Sequence, residues 1–153
     1  MQKENKILIT GSTGMVGSVL VKELENMGFG HLITPKKAEL DLKNFYQVDE
    51  FFKEHNPEYV FMIAAKVGGI AANIADPVGF LQDNLEIEIN LFKAAHKYKT
   101  KKNLFLGSSC IYPKDSPQPM KEEYLMTGIL EPTNEGYALS KIVGLNLAKY
   151  YHT

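Results

Sequence analysis

A doubly wound α/β fold on a parallel sheet is what this 153-residue sequence predicts, and three observations predict it. Short apolar runs alternate with amphipathic stretches. The runs are continuous rather than alternating in polarity, as strands covered on both faces require. The first of them feeds directly into a glycine-rich turn, Gly11-Ser12-Thr13-Gly14-Met15-Val16-Gly17. Parallel neighbours joined through helices take right-handed crossovers.

Lys6-Ile7-Leu8-Ile9-Thr10 reads as the first strand, followed by a helix whose apolar positions are Val16, Val19, Leu20, Leu24 and Met27. His31 to Thr34 reads as the second strand. A helix with Phe45, Val48, Phe51 and Phe52 on its apolar side leads to a third strand, Tyr59 to Ile63. The segment from Val78 to about Tyr98 is helical by length, with Phe80, Leu81, Leu85, Ile87, Ile89, Leu91 and Phe92 spread over more than one face. Asn103 to Gly107 supplies the fourth strand. The proline-rich stretch from Pro113 to Pro119 reads as a surface loop, and a last helix runs from about Asn134.

A chain of 153 residues makes one domain that buries roughly 70% of its unfolded surface, so residues 1–153 are expected to form a single dinucleotide-binding domain. Seventeen basic and 18 acidic residues give a net charge of −1, which argues against nucleic acid or an anionic membrane as partner and for a small molecule. One cysteine, Cys110, cannot form an internal disulfide. No run approaches the ~20 apolar residues of a membrane span, and a polar N-terminus points to a cytoplasmic protein. The four histidines are scattered, so no metal site is expected.

Chemistry enters at three places. A strand, a tight glycine turn and a helix start together form a phosphate site, because the first amides and the dipole of the helix face an anion that no side chain obstructs. The spacing is GxxGxxG. About twenty residues on, where an acidic residue would hold an NAD ribose, stand Lys36 and Lys37, whose charges suit a 2′-phosphate and favour NADPH; a solvated loop is the competing reading. Glu39 and Asp41 follow, within reach either of a ribose or of the next helix start. Ala64 to Ile70 carries Gly68 and Gly69 after the third strand, where backbone can approach a ligand closely or simply turn.

Ser108, Ser109 and Cys110 follow the fourth strand, beside the expected topological switch point of the sheet. The serine hydroxyls can polarise a substrate oxygen, and the thiol can serve as an acid or base. Tyr137 and Lys141 are four apart in a helical stretch, so a phenol and an ammonium share one face. An isolated phenol titrates near ~10; a fixed positive charge beside it stabilises the phenolate and brings the group into range for general acid or base work.

Together, Gly11 to Ser18, Ala64 to Ile70, Leu104 to Pro113 and Leu130 to Lys141 resemble the GDP-L-fucose synthases of the extended short-chain dehydrogenase/reductase superfamily, over essentially the whole chain. The resemblance implies a Rossmann-like NAD(P)-binding fold, an NADP(H) cofactor and conversion of GDP-4-keto-6-deoxy-D-mannose to GDP-L-fucose. It implies that Tyr137 donates a proton to the C4 oxygen and that Lys141 holds the nicotinamide ribose and acidifies Tyr137. Ser108 would hydrogen-bond the ketone, and Cys110 would be the base for epimerisation at C3 and C5. Leu106 and Gly107 join Gly11 to Gly17, Lys36, Lys37, Asp41 and Lys141 in the implied cofactor contacts, and a homodimer through the last helix and the Val78 to Tyr98 helix is implied as well. Thr13 stands where some members carry a basic residue on the cofactor phosphate, which leaves that contact to Lys36 or Lys37.

The family's histidine acid, its further strands and its sugar-binding domain lie beyond Thr153, so the resemblance implies a C-terminally truncated domain with little activity alone. Two other readings compete: a non-catalytic NAD(P)-binding module, and another nucleotide-sugar epimerase or dehydratase. Cys110 and Val67-Gly68-Gly69 speak against the last.

Overall fold

The computed structural model describes residues 1–152; Thr153, the last residue of the expected domain, lies outside them. In chain order the elements are β1 (Ile7–Thr10), α1 (Met15–Asn26), β2 (Leu32–Ile33), α2 (Phe45–His55), β3 (Tyr59–Met62), α3 (Ile70–Ala75), α4 (Pro77–Lys97), β4 (Lys102–Phe105) and α5 (Glu135–His152), with three short 3-10 turns between β4 and α5. The chain divides into two compact units. The first is Met1–Ala65 with Glu86–Leu106, the second Lys66–Leu85 with Gly107–Thr153.

The first unit holds a four-stranded, all-parallel sheet in the order β2-β1-β3-β4, a Rossmann-like arrangement. Every residue of β1 is buried, as the continuous apolar run requires of a central strand. Ile7 and Ile9 pack with Leu20, Val21 and Leu24 of α1, while Leu8, on the opposite face by strand alternation, is equally buried. Because the chain leaves β1 for β2 on one side and returns to β3 on the other, the topological switch lies between β1 and β3, one strand in from β4.

Four sequence expectations shift. β2 is only two residues long, since it pairs only through Leu32 and Ile33 at the sheet's edge. β4 starts at Lys102 and ends at Phe105, and the residues meant to extend it to Gly107 leave the ladder after one further bond, Leu106 N–H to the Met62 carbonyl at 3.2 Å. In α1 the residues set against the sheet are Leu20, Val21 and Leu24, whereas Val16, Val19 and Met27 face outward. A helix absent from the sequence reading, α3, starts at Ile70.

Helix α2 forms as its sequence directs. Asn44 accepts the N–H groups of Tyr46 and Gln47, Asn56 closes the helix in a left-handed conformation, and Val48 and Phe52 are fully buried. Each such side chain contributes roughly 1.5 to 3 kcal/mol of burial. Asn90 of α4 donates to the carbonyls of Leu42 and Lys43 at 3.0 Å each, which fixes the approach to α2, and Lys97 pairs with Asp49 at 2.7 Å.

At the amino ends of the strands one carboxylate gathers three partners. Glu58 accepts from the Lys101 ammonium, from Asn5 Nδ2 and from the Lys6 backbone N–H. The Lys101 bond above all, then Asn5 and Lys6, hold its pKa down to about 2 from an ordinary 4.5.

The second unit is smaller and helical. Ile111, Leu130, Ala138 and Ile142 form its core, with Cys110, Tyr112, Leu125 and Leu145 packed against them. Gly136 sits where any side chain would meet the Pro77 carbonyl oxygen at 2.7 Å, so α5 and the start of α4 approach backbone to backbone.

Candidate active site

In the first unit, Thr10 ends β1 and ties it to β3. Its Oγ1 donates to the Phe61 carbonyl at 3.2 Å and accepts from the N–H groups of Ile63 and Ala64 at 3.2 and 3.3 Å. Immediately beyond, Gly11 turns with φ +73°, and a Cβ there would lie 2.9 Å from the Ala64 backbone. The chain doubles back through the bond from Gly14 N–H to the Gly11 carbonyl at 3.0 Å. Gly17, in the first turn of α1, faces the Gly11 carbonyl so closely that a methyl group would collide with it. The glycine spacing of the sequence thus reports a helix set down directly on a turn.

Gly14 caps α1 with extended backbone and no side-chain acceptor, leaving the first amides and the positive end of a 12-residue helix for an anion. Thr13, Met15 and Val16 are exposed around it, while Ser12 is buried with Oγ 3.5 Å from the Thr34 carbonyl. These features fit a dinucleotide pyrophosphate: small residues where backbone must approach, and no acidic side chain in the first turn.

The Ser12 contact joins the glycine turn to the end of β2, where Lys36 and Lys37 are exposed. Glu39 folds this loop by accepting the Lys36 N–H at 2.8 Å. Asp41 accepts the Lys43 N–H at 3.1 Å and does not cap α2, a role that falls to Asn44. Leu106 ends this unit, partly exposed, and Gly107 begins the next.

In the second unit, Ser108 opens a 3-10 turn (Ser109–Ile111) by accepting the Cys110 N–H at 3.3 Å. Ile111 is anchored in the core, so the half-buried Cys110 is held on a short, fixed segment. Asn134, the last residue of the third 3-10 turn (Pro132–Asn134), places Nδ2 3.2 Å from Cys110 Sγ. On α5, Tyr137 is partly buried and Lys141 is 2% exposed, with its ammonium 6.0 Å from the Tyr137 ring centroid. The i, i+4 spacing puts the phenol and the ammonium on one face of α5, with the ammonium over the ring. Ser140 donates to the Tyr137 carbonyl at 2.7 Å. The structure therefore groups Ser108 with Cys110, and Tyr137 with Lys141, all within the second unit.

Sequence reasoning missed Asn134 and also the buried polar stripe of α4, where Asn84, Glu88 and Asn90 are all under a tenth exposed. Asn84 holds the Ala64 to Ile70 segment by accepting the Lys66 N–H at 2.7 Å and donating to the Lys66 carbonyl at 3.0 Å. The only signal was Asn84 and Glu88 four residues apart, with Asn90 two further on, among apolar neighbours. Lys66 itself pairs with Asp76 at 2.8 Å and Asp83 at 3.2 Å. These bonds, Asp76 first, raise its pKa, and the Lys66 bond lowers that of Asp76. Gly68 gives way to Phe80, whose ring tip would lie 2.8 Å from a Cβ, and Gly69 caps α3 in open space.

Residues 7–153 match the NAD dependent epimerase/dehydratase family. The chain is 47% identical, over 99% of its length, to a putative GDP-L-fucose synthase 2 of Arabidopsis thaliana, and 45% identical over 97% to the GDP-L-fucose synthase of Escherichia coli (strain K12). It spans about half the length of these curated relatives, 46% of each. Among solved structures, a GDP-D-glycero-L-gluco-heptose synthase from Campylobacter jejuni, determined in the presence of NADPH, superimposes with a TM-score of 0.96 at 39% identity, over 99% of this chain and 44% of that one. With the family match running from β1 to the end of the sequence, and a glycine turn and a tyrosine–lysine pair built as described, the chain belongs to the NAD dependent epimerase/dehydratase family.

Proposed function

We propose that this chain supplies the cofactor-binding and catalytic residues of an NADPH-dependent enzyme that epimerises and reduces GDP-4-keto-6-deoxy-D-mannose to GDP-L-fucose. The observation that carries the reading is Cys110, fixed by Ser108 on a core-anchored turn in the same unit as Tyr137 and Lys141. The GDP-L-fucose synthase relatives support it.

The chemistry follows from a ketone at C4. Hydrogens on C3 and C5 are acidified by the adjacent carbonyl, so a thiolate at Cys110 removes one as the electron pair moves to the C4 oxygen. Ser108 stabilises the charge that develops there by donating a hydrogen bond. Reprotonation from the opposite face inverts the centre, and the resemblance gives that role to a histidine beyond this sequence. A bound NADPH would supply hydride to C4. Tyr137 then protonates the resulting oxygen, and the neighbouring Lys141 ammonium favours the phenolate left behind. The same donors serve both half-reactions, because enolate and alkoxide place charge on one atom.

Gly11 to Gly17 would hold the pyrophosphate on the α1 amides, with Lys36 or Lys37 on the 2′-phosphate, Asp41 near the ribose, Leu106 and Gly107 along the cofactor and Lys141 on the nicotinamide ribose. A second reading, reduction or epimerisation of a different GDP-sugar, draws on the heptose synthase relative. We also assign a homodimer to the exposed apolar stripe of α5, Leu139, Val143 and Tyr150, together with Val78 of α4. Light scattering checks it, and a monomer at micromolar concentration argues against it.

The deciding experiment supplies GDP-4-keto-6-deoxy-D-mannose in D2O, with and without NADPH. Cys110→Ser is expected to reduce deuterium uptake at C3 and C5 by about 10²-fold or more, whereas Tyr137→Phe retains uptake and loses cofactor oxidation. Exchange undiminished in Cys110→Ser overturns the assignment of the base.

A further inference from the structure

Asn134 and Cys110 meet through side chains alone, 24 residues apart, and each is held on a short fixed turn. Glu131 accepts both the Thr133 N–H at 3.3 Å and the Thr133 hydroxyl at 3.1 Å, which locks the Pro132–Asn134 turn. Ser108 does the same for Cys110. The Asn134 amide points Nδ2 at the sulfur, and its Oδ1 is buried without a hydrogen-bond partner among the described residues.

That orientation is informative. A buried carbonyl left unsatisfied costs about 1 to 3 kcal/mol, so the N–H toward sulfur must return something comparable. A neutral thiol is a weak acceptor, but a thiolate accepts charge-assisted hydrogen bonds strongly. A sulfur that works as a base needs its anionic form populated before substrate binds, and a fixed N–H donor within 3.2 Å favours that form.

We propose that Asn134 is a positioning residue that holds Cys110 Sγ and stabilises its thiolate, the form that takes a proton from carbon. The proposal rests on the reading of Cys110 as the base and assigns a residue through which that base is prepared. Asn134 touches neither cofactor nor substrate in this scheme, and it acts through the sulfur.

The test needs no turnover. Cys110 is the one cysteine of the sequence, so iodoacetamide reports on it alone. The alkylation rate at pH 7, divided by the same protein's plateau rate at high pH where the thiol is fully ionised, measures the thiolate population independently of access. Asn134→Ala is expected to lower this ratio about tenfold, equivalent to about 1.4 kcal/mol. Asn134→Leu keeps the approximate size of the side chain but carries no N–H, so it lowers the ratio as far as Asn134→Ala does. A role in shape alone would leave Asn134→Leu at the unsubstituted value, and that result overturns the proposal. Should Asn134→Ala fail to fold by circular dichroism, Asn134→Leu decides. The deuterium experiment separates the two ideas. An unchanged alkylation ratio with exchange lost in Cys110→Ser sinks the role of Asn134 and leaves the base in place. A lowered ratio with exchange retained in Cys110→Ser does the reverse.

Discussion

Asn84, wholly buried in α4, hydrogen-bonds both backbone groups of Lys66, accepting its N–H at 2.7 Å and donating to its carbonyl at 3.0 Å. This is the pairing a neighbouring strand would make, supplied by one side chain to a segment that has just left β3. The same amide also donates to the Phe80 carbonyl at 2.7 Å.

Asn84→Ala should therefore strand backbone groups that have no substitute partner. The expected loss is about 2 kcal/mol, read from urea unfolding as a lower midpoint with an unchanged slope. A change within about 0.5 kcal/mol would show that water satisfies those groups as well as Asn84 does.

Gly17→Ala drives a methyl group into the Gly11 carbonyl, and the turn or the start of α1 must move. Stability should fall by about 1 to 3 kcal/mol and dinucleotide affinity by more than tenfold. Gly30→Ala, with no atom within 4 Å of the added carbon, is the control and should be neutral within about 0.5 kcal/mol.

Lys36 and Lys37 are exposed at the end of β2, on the loop that Ser12 links to the glycine turn. NADPH is expected to bind about tenfold more tightly than NADH, and the Lys36→Glu, Lys37→Glu pair should remove that preference. Titration by cofactor fluorescence measures both. Equal affinities in the unsubstituted protein would refute the assignment of the 2′-phosphate contact.

Glu58 has its pKa depressed from 4.5 to about 2 by Lys101, Asn5 and Lys6. A carboxylate with a depressed pKa contributes stability that is fully present above its unfolded value and is lost as the pH falls through the folded one. The window is thus from about 4.5 down to about 2. Glu58→Gln should be less stable at neutral pH and flatten the decline of thermal midpoint across that window. An identical acid profile in the variant would remove Glu58 as its source.

Much of the fold could be read directly because its signals are local. The continuous apolar runs at Lys6 to Thr10 and Tyr59 to Ile63 became β1 and β3, each one residue shorter than read, and Val48 and Phe52 became core because a helix that must bury one face shows it at that spacing. The glycine turn was legible for a stricter reason. At Gly11 and Gly17 a side chain is excluded by backbone atoms, so the sequence there records a steric fact. Tyr137 and Lys141 were legible since four residues of helix bring them together by themselves.

Where a position depends on residues distant in the chain, the sequence alone was silent or misled. Val16 and Val19 have the spacing of core residues yet face outward, because the tight packing of Gly17 on Gly11 sets the rotation of α1. The end of β4 and the place of the switch point were decided by strand pairing, which no single run of residues encodes. Asn84 against Lys66, Glu58 against Lys101 and Asn134 against Cys110 are partnerships across 18, 43 and 24 residues. Residue type by itself determined that a glycine turn, a thiol and a tyrosine–lysine pair were present. Only the tertiary structure decided which polar group each would find, because a hydrogen bond requires a few tenths of an ångström of placement that sequence spacing fixes within one helix or turn and nowhere else.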